Sequence, residues 1–323
     1  MTKNWNDLPD EMKEMVVDNM DLITRFRLKM VSKSDKRLVE SMPFYSKEIK
    51  AVKVNEDRCL EQFSFSYIYI QWKDLKIIVW DRKKNVQRFI EFSTKEECAE
   101  MMKCMFRAIM SPQNIRIGHF TTNLSFDDLL AVPNFKLHVK CLTLCIGGDD
   151  NKWLDSVVSK PNVLRLQGEA TQLHPLAKTV KCLHWREASS TDNEQLMELK
   201  ATHFHICDSK ITEEGINAFV KKLIDEDYPI DSEMKFERDS SFNWDKLVDG
   251  LNHEFIKELD ADDNGRPVYA IFDKENNDYD YGIVRRGNIR IHMNVEKDIV
   301  LRWKSAARDT VKLVVVKRED EQI

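Results

Sequence analysis

The chain has 323 residues, of which 42% are apolar, enough to bury a core in one large domain or two moderate ones. Its 50 basic and 55 acidic side chains nearly cancel to a formal charge of -5, which argues against the basic field a nucleic-acid partner needs. The seven cysteines are never spaced Cys-x-x-Cys, the N-terminus is too charged for a secretory signal, and no apolar run is long enough to enter a membrane. Together these features predict reduced thiols and a soluble protein of the cytoplasm or nucleus.

Three short helices are expected up to about Phe44. Asp7 is the predicted N-cap of the first, with Pro9 at an early helical position and Met12, Met15, Val16 and Met20 recurring at helical spacing. The second, Ile23 to Val31, carries Phe26 and Met30 four residues apart. Ser34-Asp35 is the expected cap of the third, Lys36 to Met42, which Pro43 ends. About forty residues cannot build a large core, so these helices need a partner or the following domain to cover their apolar surface.

From Ile49 the apolar period changes to two. The runs Ile49–Val54, Tyr67–Trp72, Lys76–Trp80 and Val86–Phe92, separated by short polar breaks, predict an antiparallel meander. Ser93-Thr94-Lys95-Glu96-Glu97 then resembles a capping box for a helix from Lys95 to Met110, whose Cys98, Met101, Met102, Met105, Phe106 and Ile109 lie on one stripe.

Between Ile115 and Glu237, short apolar strands alternate with polar or helical stretches at irregular spacing. The predicted strands are Ile115–Phe120, Val139–Ile146, Val163–Leu166, Val180–Trp185, Thr202–Ile206 and Met234–Glu237, and their form is leucine-rich-repeat-like without a strict consensus. Ile211-Thr212-Glu213-Glu214 caps a helix through Ile224. Beyond it, Val268–Phe272, Tyr281–Arg285 and Ile289–Met293 are candidate strands, with Arg286-Gly287-Asn288 expected as the tight turn between the last two.

Leu8-Pro9-x-Glu11-Met12, Val16-Val17, Met20, Phe26, Val31-Ser32-Lys33 and Arg37-Leu38-Val39, taken in order, resemble the F-box pattern. Asp35 stands where that family often has tryptophan. The resemblance implies helices that dock on Skp1, which bridges to a cullin, and it assigns Leu8, Pro9, Met12, Val16, Met20, Phe26, Leu28 and Val31 to the Skp1-binding face. The run from Leu199 to Ile206, followed by Asp208 to Lys221, is similar to the F-box associated region (type 2 or FTH-like) of a nematode-expanded F-box group. That region is regarded as substrate-binding and brings no catalytic residues.

The expected fold class is therefore α+β. It comprises a small three-helix F-box (1–45), a β-meander plus helix (46–112), an irregular leucine-rich-repeat-like α/β region (113–240), and a C-terminal helix with a hairpin-rich sheet (241–323). No catalytic, cofactor-binding or metal set emerges. His203 and His205 share a strand face without a third ligand at suggestive spacing, and Cys141 and Cys145 read as buried thiols. Gly147-Gly148-Asp149-Asp150 reads as a turn, because no Gly-Lys-Ser/Thr follows and its aspartates would repel phosphate.

Loops after parallel strands gather on one rim, here Gly147–Trp153, Gly168–Leu173, Glu187–Asn193 and Asp208–Ile211. Trp153, Gln172 and Asp192 are the substrate-contact candidates, with packing of Trp153 against the preceding strand as the alternative. The function expected is a non-enzymatic adaptor joining Skp1 to a protein substrate. The alternative is a repeat-like interaction scaffold with no ligase role.

Overall fold

The computed structural model describes residues 5–20, 22–52, 62–65, 68–73, 75–110, 115–129, 135–145, 151–168, 173–189, 191–239, 242–256, 285–294, 296–305 and 309–318. The chain divides into two compact units, residues 1–146 with 150–161 and residues 162–323 with 147–149.

The first unit opens with a 3-10 turn, Trp5–Asp7, then α1 (Asp10–Asp18), α2 (Leu22–Lys29) and α3 (Lys33–Ser41). Asp7 is not the cap of α1. It lies in the 3-10 turn, and Pro9 occupies the N-cap position without a side-chain bond. The cap of α3 is Ser32 rather than the expected Ser34-Asp35 pair, because its hydroxyl reaches the Asp35 amide at 3.1 Å. Buried Arg25 ties the helices to the strand after them. Its guanidinium donates to the Pro43 and Asp18 carbonyls at 3.0 and 3.3 Å and stacks on the Phe44 ring.

β1 (Phe44–Val52), β2 (Gln62–Phe65), β3 (Ile68–Lys73), β4 (Lys76–Asp81) and β5 (Val86–Glu91) form the antiparallel meander. α4 (Lys95–Met110) comes next with the expected capping box: the Thr94 hydroxyl accepts from the Glu97 amide, and the Glu97 carboxylate accepts from the Ser93 amide. Cys98, Met102, Phe106 and Ile109 of its stripe are buried, whereas Met101 is exposed and Met105 half-buried, and Phe106 meets Phe63 of β2 edge-on at 5.8 Å. β6 (Ile115–Thr122) then pairs parallel with β1. α5 (Phe126–Leu129), β7 (His138–Cys145, parallel with β6) and α6 (Asn151–Asp155) complete the unit. Its strand order is β7-β6-β1-β2-β3-β4-β5.

The second unit is a parallel ladder with crossover helices. The order is β8 (Val163–Gln167), α7 (Pro175–Thr179), β9 (Cys182–Arg186), α8 (Asn193–Glu198), β10 (His203–Cys207), α9 (Glu213–Asp225) and β11 (Glu233–Arg238). α10 (Trp244–Val248) and β12 (His253–Ile256) precede the hairpin-paired strands β13 (Arg285–His292), β14 (Lys297–Ser305) and β15 (Asp309–Lys317). β15 adds antiparallel to β11, giving the order β12-β13-β14-β15-β11-β10-β9-β8.

Register aligns two apolar rows on one face, Leu164-Leu183-Phe204-Met234-Leu313 and Leu166-Trp185-Ile206-Phe236-Val311. α9 covers the first row, with Phe219 edge-on to Phe204 at 5.5 Å.

Arg286-Gly287-Asn288 is not a turn. These residues lie within β13, where Gly287 pairs with Trp303 and the ladder to β14 continues through all three. A continuous cross-strand partner overrides the local turn preference of Gly-Asn. The strand expected at Val268–Phe272 lies outside the described residues, as does all but Arg285 of that expected at Tyr281–Arg285. The one at Ile289–Met293 forms the second half of β13 up to His292.

Candidate docking surfaces

On the N-terminal helices, Val17 and Val39 turn inward while their apolar neighbours do not. Met12 is 51% exposed and Val31 70%, and Met15, Val16 and Met30 are also exposed. Among the residues assigned by resemblance, Pro9 is exposed as well, Leu8, Met20 and Leu28 are half-buried, and the side chain of Phe26 lies outside the described residues. Large apolar side chains left open on α1 and at the end of α2 form the kind of surface that a partner covers.

Asp35 fixes the geometry of this cluster. Its carboxylate is buried, accepting from the Trp5 indole N–H at 2.7 Å and from the Ser32 hydroxyl at 2.7 Å. These bonds, that from Ser32 first, hold its pKa below the usual carboxylate value. A tryptophan thus packs at this helix after all, supplied by Trp5 rather than by position 35.

In the second unit, three loops at the C-terminal ends of the parallel strands lie side by side. Gly168 N–H donates to the Arg186 carbonyl, Ala188 N–H to Cys207 and Asp208 N–H to Glu237, while Lys210 N–H reaches Thr191. Glu187 and Asp208 both take φ of 58°, the left-handed turn that redirects each chain as it leaves its strand. Asn193 braces two of these loops together, its amide bonding the Thr212 hydroxyl at 3.0 Å and the Thr212 N–H at 2.9 Å. A pocket opens between residues 208–212 and the Arg238-Asp239 pair. Arg238, which lines it, pairs with Glu213, and Glu213 also accepts from the Asn243 N–H at 2.8 Å. Burial opposes the Glu213 charge, yet these partners hold its pKa below the usual value.

The substrate-contact candidates fare differently. Trp153 is corrected: it is 0% exposed, its indole N–H donates to the Leu124 carbonyl at 2.9 Å, and it lies among Phe120, Phe126 and Phe135. An apolar ring of this size is more stable among three aromatics than in water, so it is a core residue of the first unit. Asp192 is exposed on the rim and caps α8 by accepting from the Gln195 N–H at 3.0 Å. Gln172 lies outside the described residues, as do residues 147–150 of the first rim segment.

His203 and His205 do share a face of β10, and His205 has two companions there. Its Nε2 stands 3.2 Å from Cys207 Sγ and 3.0 Å from Glu237 Oε2. Sequence reasoning missed both, Cys207 two residues along β10 and Glu237, which reaches His205 through the β10–β11 register. Among the described residues, no helix is long and apolar enough to cross a membrane.

Comparison with known families finds two matches. Residues 5–47 match the F-box domain, and residues 97–240 match a domain of unknown function (DUF3557). No curated protein and no solved structure matches the chain. The chain therefore carries an F-box domain at its N-terminus, spanning α1 to α3 and the start of β1, followed by a DUF3557 region. An F-box suggests an adaptor role in ubiquitination as part of an SCF-type ligase.

Proposed function

We propose that this chain is a substrate-recruiting adaptor. Its N-terminal helices dock on a Skp1-like protein, Skp1 connects them to a cullin, and the DUF3557 region presents a surface to a protein substrate. The observation that carries the reading is the F-box match over helices that leave Met12, Met15, Val16, Met30 and Val31 open to solvent. A self-sufficient three-helix core would have turned such residues inward. The adaptor makes and breaks no bond itself; it raises the effective concentration of substrate near the charged ubiquitin carrier.

The rim of the second unit supports the recruiting half of the reading. Successive parallel strands joined through helices place three loops together on a hydrogen-bonded base, where surface residues can vary without disturbing the apolar rows beneath. This sequential ladder favours the repeat-like description, and the Leu199–Lys221 similarity favours an F-box associated region of the nematode-expanded type. The scaffold reading without a ligase role shares this rim but leaves the open apolar face of α1 and α2 unexplained.

Co-purification of the full chain with Skp1 tests the proposal. Val31→Asp places a charge at an exposed position, so the fold should persist, while docking should weaken by about 2 kcal/mol, roughly 30-fold, if Val31 is a contact of hot-spot weight. Undiminished Skp1 capture by Val31→Asp combined with Met12→Asp would remove the docking face.

A further inference from the structure

The polar face of the parallel ladder in the second unit carries a cluster that adaptor function leaves unused. Side chains two apart on a strand project together, so β10 presents His205 and Cys207 on one face. Register sets Glu237 of β11 opposite Cys207 and Lys235 opposite His205. Nε2 of His205, Sγ of Cys207 and a Glu237 carboxylate oxygen all lie within 4.8 Å of one another.

We propose that His205, Cys207 and Glu237 bind one divalent transition-metal ion of the zinc class, with water as the fourth ligand. Tetrahedral zinc holds nitrogen and oxygen at about 2.0–2.2 Å and sulfur at about 2.3 Å, which sets N···O at about 3.3 Å and N···S at about 3.5 Å. The observed 3.0 and 3.2 Å are slightly tighter, so His205 need only draw back a little from its two companions, while Cys207 Sγ and the Glu237 oxygen stand within 4.8 Å of each other. Thiolate, imidazole and carboxylate together suit zinc-like ions rather than calcium or magnesium, which take oxygen alone. Cys207 is buried, whereas the side chains of His205 and Glu237 are 22% and 21% exposed. The ion thus has a dry side and an entry path.

The protons can be followed through binding. Burial first, then the neighbouring Glu237 and Asp208 carboxylates, pushes the Cys207 thiol up to about 11, so without a cation it remains protonated. Metal entry replaces the S–H bond with an S–metal bond and releases that proton to solvent. Burial, then Lys235, lowers the pKa of His205, against the pull of Glu237, and keeps the imidazole in its neutral, ligating form. Its ring hydrogen must sit on Nδ1, leaving Nε2 for the ion. Lys235 Nζ, 3.0 Å from Glu237, must swing away, and Arg186 adds a second cationic neighbour. Without metal the same atoms form a Lys235–Glu237–His205 hydrogen-bonded network, which is the outcome the test must separate.

The full chain, reduced and stripped with a chelator, is titrated with Co2+ and then with competing Zn2+. One equivalent of Co2+ should release a proton and produce a thiolate-to-cobalt charge-transfer band with tetrahedral d–d bands, and Zn2+ should erase both bands without further proton release. Loss of a supporting outer-shell partner already costs metal sites about 10–100-fold, so Cys207→Ser and His205→Ala should each weaken zinc by at least about 100-fold. Glu237→Gln, nearly the same shape and compatible with β11, should weaken it about 10-fold or more while the circular dichroism of the chain stays unchanged. Cys182→Ser, which removes the separate thiol 3.3 Å from His184, should leave the spectrum intact. A thiolate band that survives Cys207→Ser, a band lost in Cys182→Ser, or wild-type affinity in folded Glu237→Gln overturns the assignment.

Discussion

Replacing Trp153 distinguishes a core role from a contact role most sharply, because the two predict opposite readouts. The ring is wholly buried in the first unit and lies 5.0–5.1 Å from Phe126 and Phe120. Trp153→Ala should cost about 3–5 kcal/mol through lost burial and the cavity left behind. The Leu124 carbonyl, which accepts from the indole at 2.9 Å, would also lose its partner. Taking about 4 kcal/mol, and about 2–4 °C per kcal/mol for a unit of this size, the melting transition should fall by roughly 10 °C or more. Trp153→Phe keeps an aromatic ring but strips the donor and part of the ring volume, so it should cost at least about 1–3 kcal/mol, the penalty of a buried unpaired carbonyl, and less than Trp153→Ala. Thermal melts followed by near-ultraviolet circular dichroism measure both variants, and capture of Skp1 and of substrate is assayed well below the transition. A Trp153→Ala variant that melts like wild type while losing a bound partner would refute the core role and make the ring a contact.

Two further perturbations probe the caps and the rim. Asp35 has a folded pKa below its unfolded value of about 3.9, so its contribution is present above that pH and is lost as pH falls through it toward the folded value. Wild type should therefore melt above Asp35→Asn at pH 7, and the gap should shrink on acidification below about pH 4; a pH-independent gap contradicts this. A Cβ added at Gly215 would collide with the Asn193 side chain that braces Thr212, so Gly215→Ala should cost about 1–3 kcal/mol by overpacking. Asn193→Ala should relieve part of that cost in a double-mutant cycle, and strictly additive effects would show that the clash is not with Asn193.

Elements whose signals are local were legible. α4 carried a capping box and a stripe at helical spacing, and its observed span, Lys95–Met110, is the one those signals mark out. The parallel strands from β6 to β11 were equally visible as short apolar runs, since a sheet covered on its core face needs them. Where tertiary pairing competes with a local preference, the reading from sequence fails. Arg286-Gly287-Asn288 has turn chemistry, yet pairing with Lys304, Trp303 and Arg302 holds it as strand. The cap of α3 was misplaced because Ser32 and Ser34 are both competent, and only the reach of the hydroxyl to the Asp35 amide decides between them. Trp153 offered no local sign at all: its three aromatic neighbours are brought to it by β6, α5 and the segment before β7.

The His205 cluster was half visible for a related reason. The neighbours two apart on β10 could be read directly, but Glu237 stands 32 residues from His205 in sequence and is separated from it by a helix. What brings it home is the opposite face of the sheet. Phe204 must meet Met234, and Ile206 must meet Phe236, for the two apolar rows to align on the core face, the first beneath α9. Because side chains alternate with a period of two, fixing that register also fixes Cys207 opposite Glu237; a slip by one residue would bury the ligands and expose the phenylalanines. The geometry of the polar face is thus set by the apolar face. Phe236→Ala, although it touches none of the three proposed ligands' chemistry, should loosen the ligand spacing as well as the core, whereas a change on the rim beyond Asp208 should leave both in place.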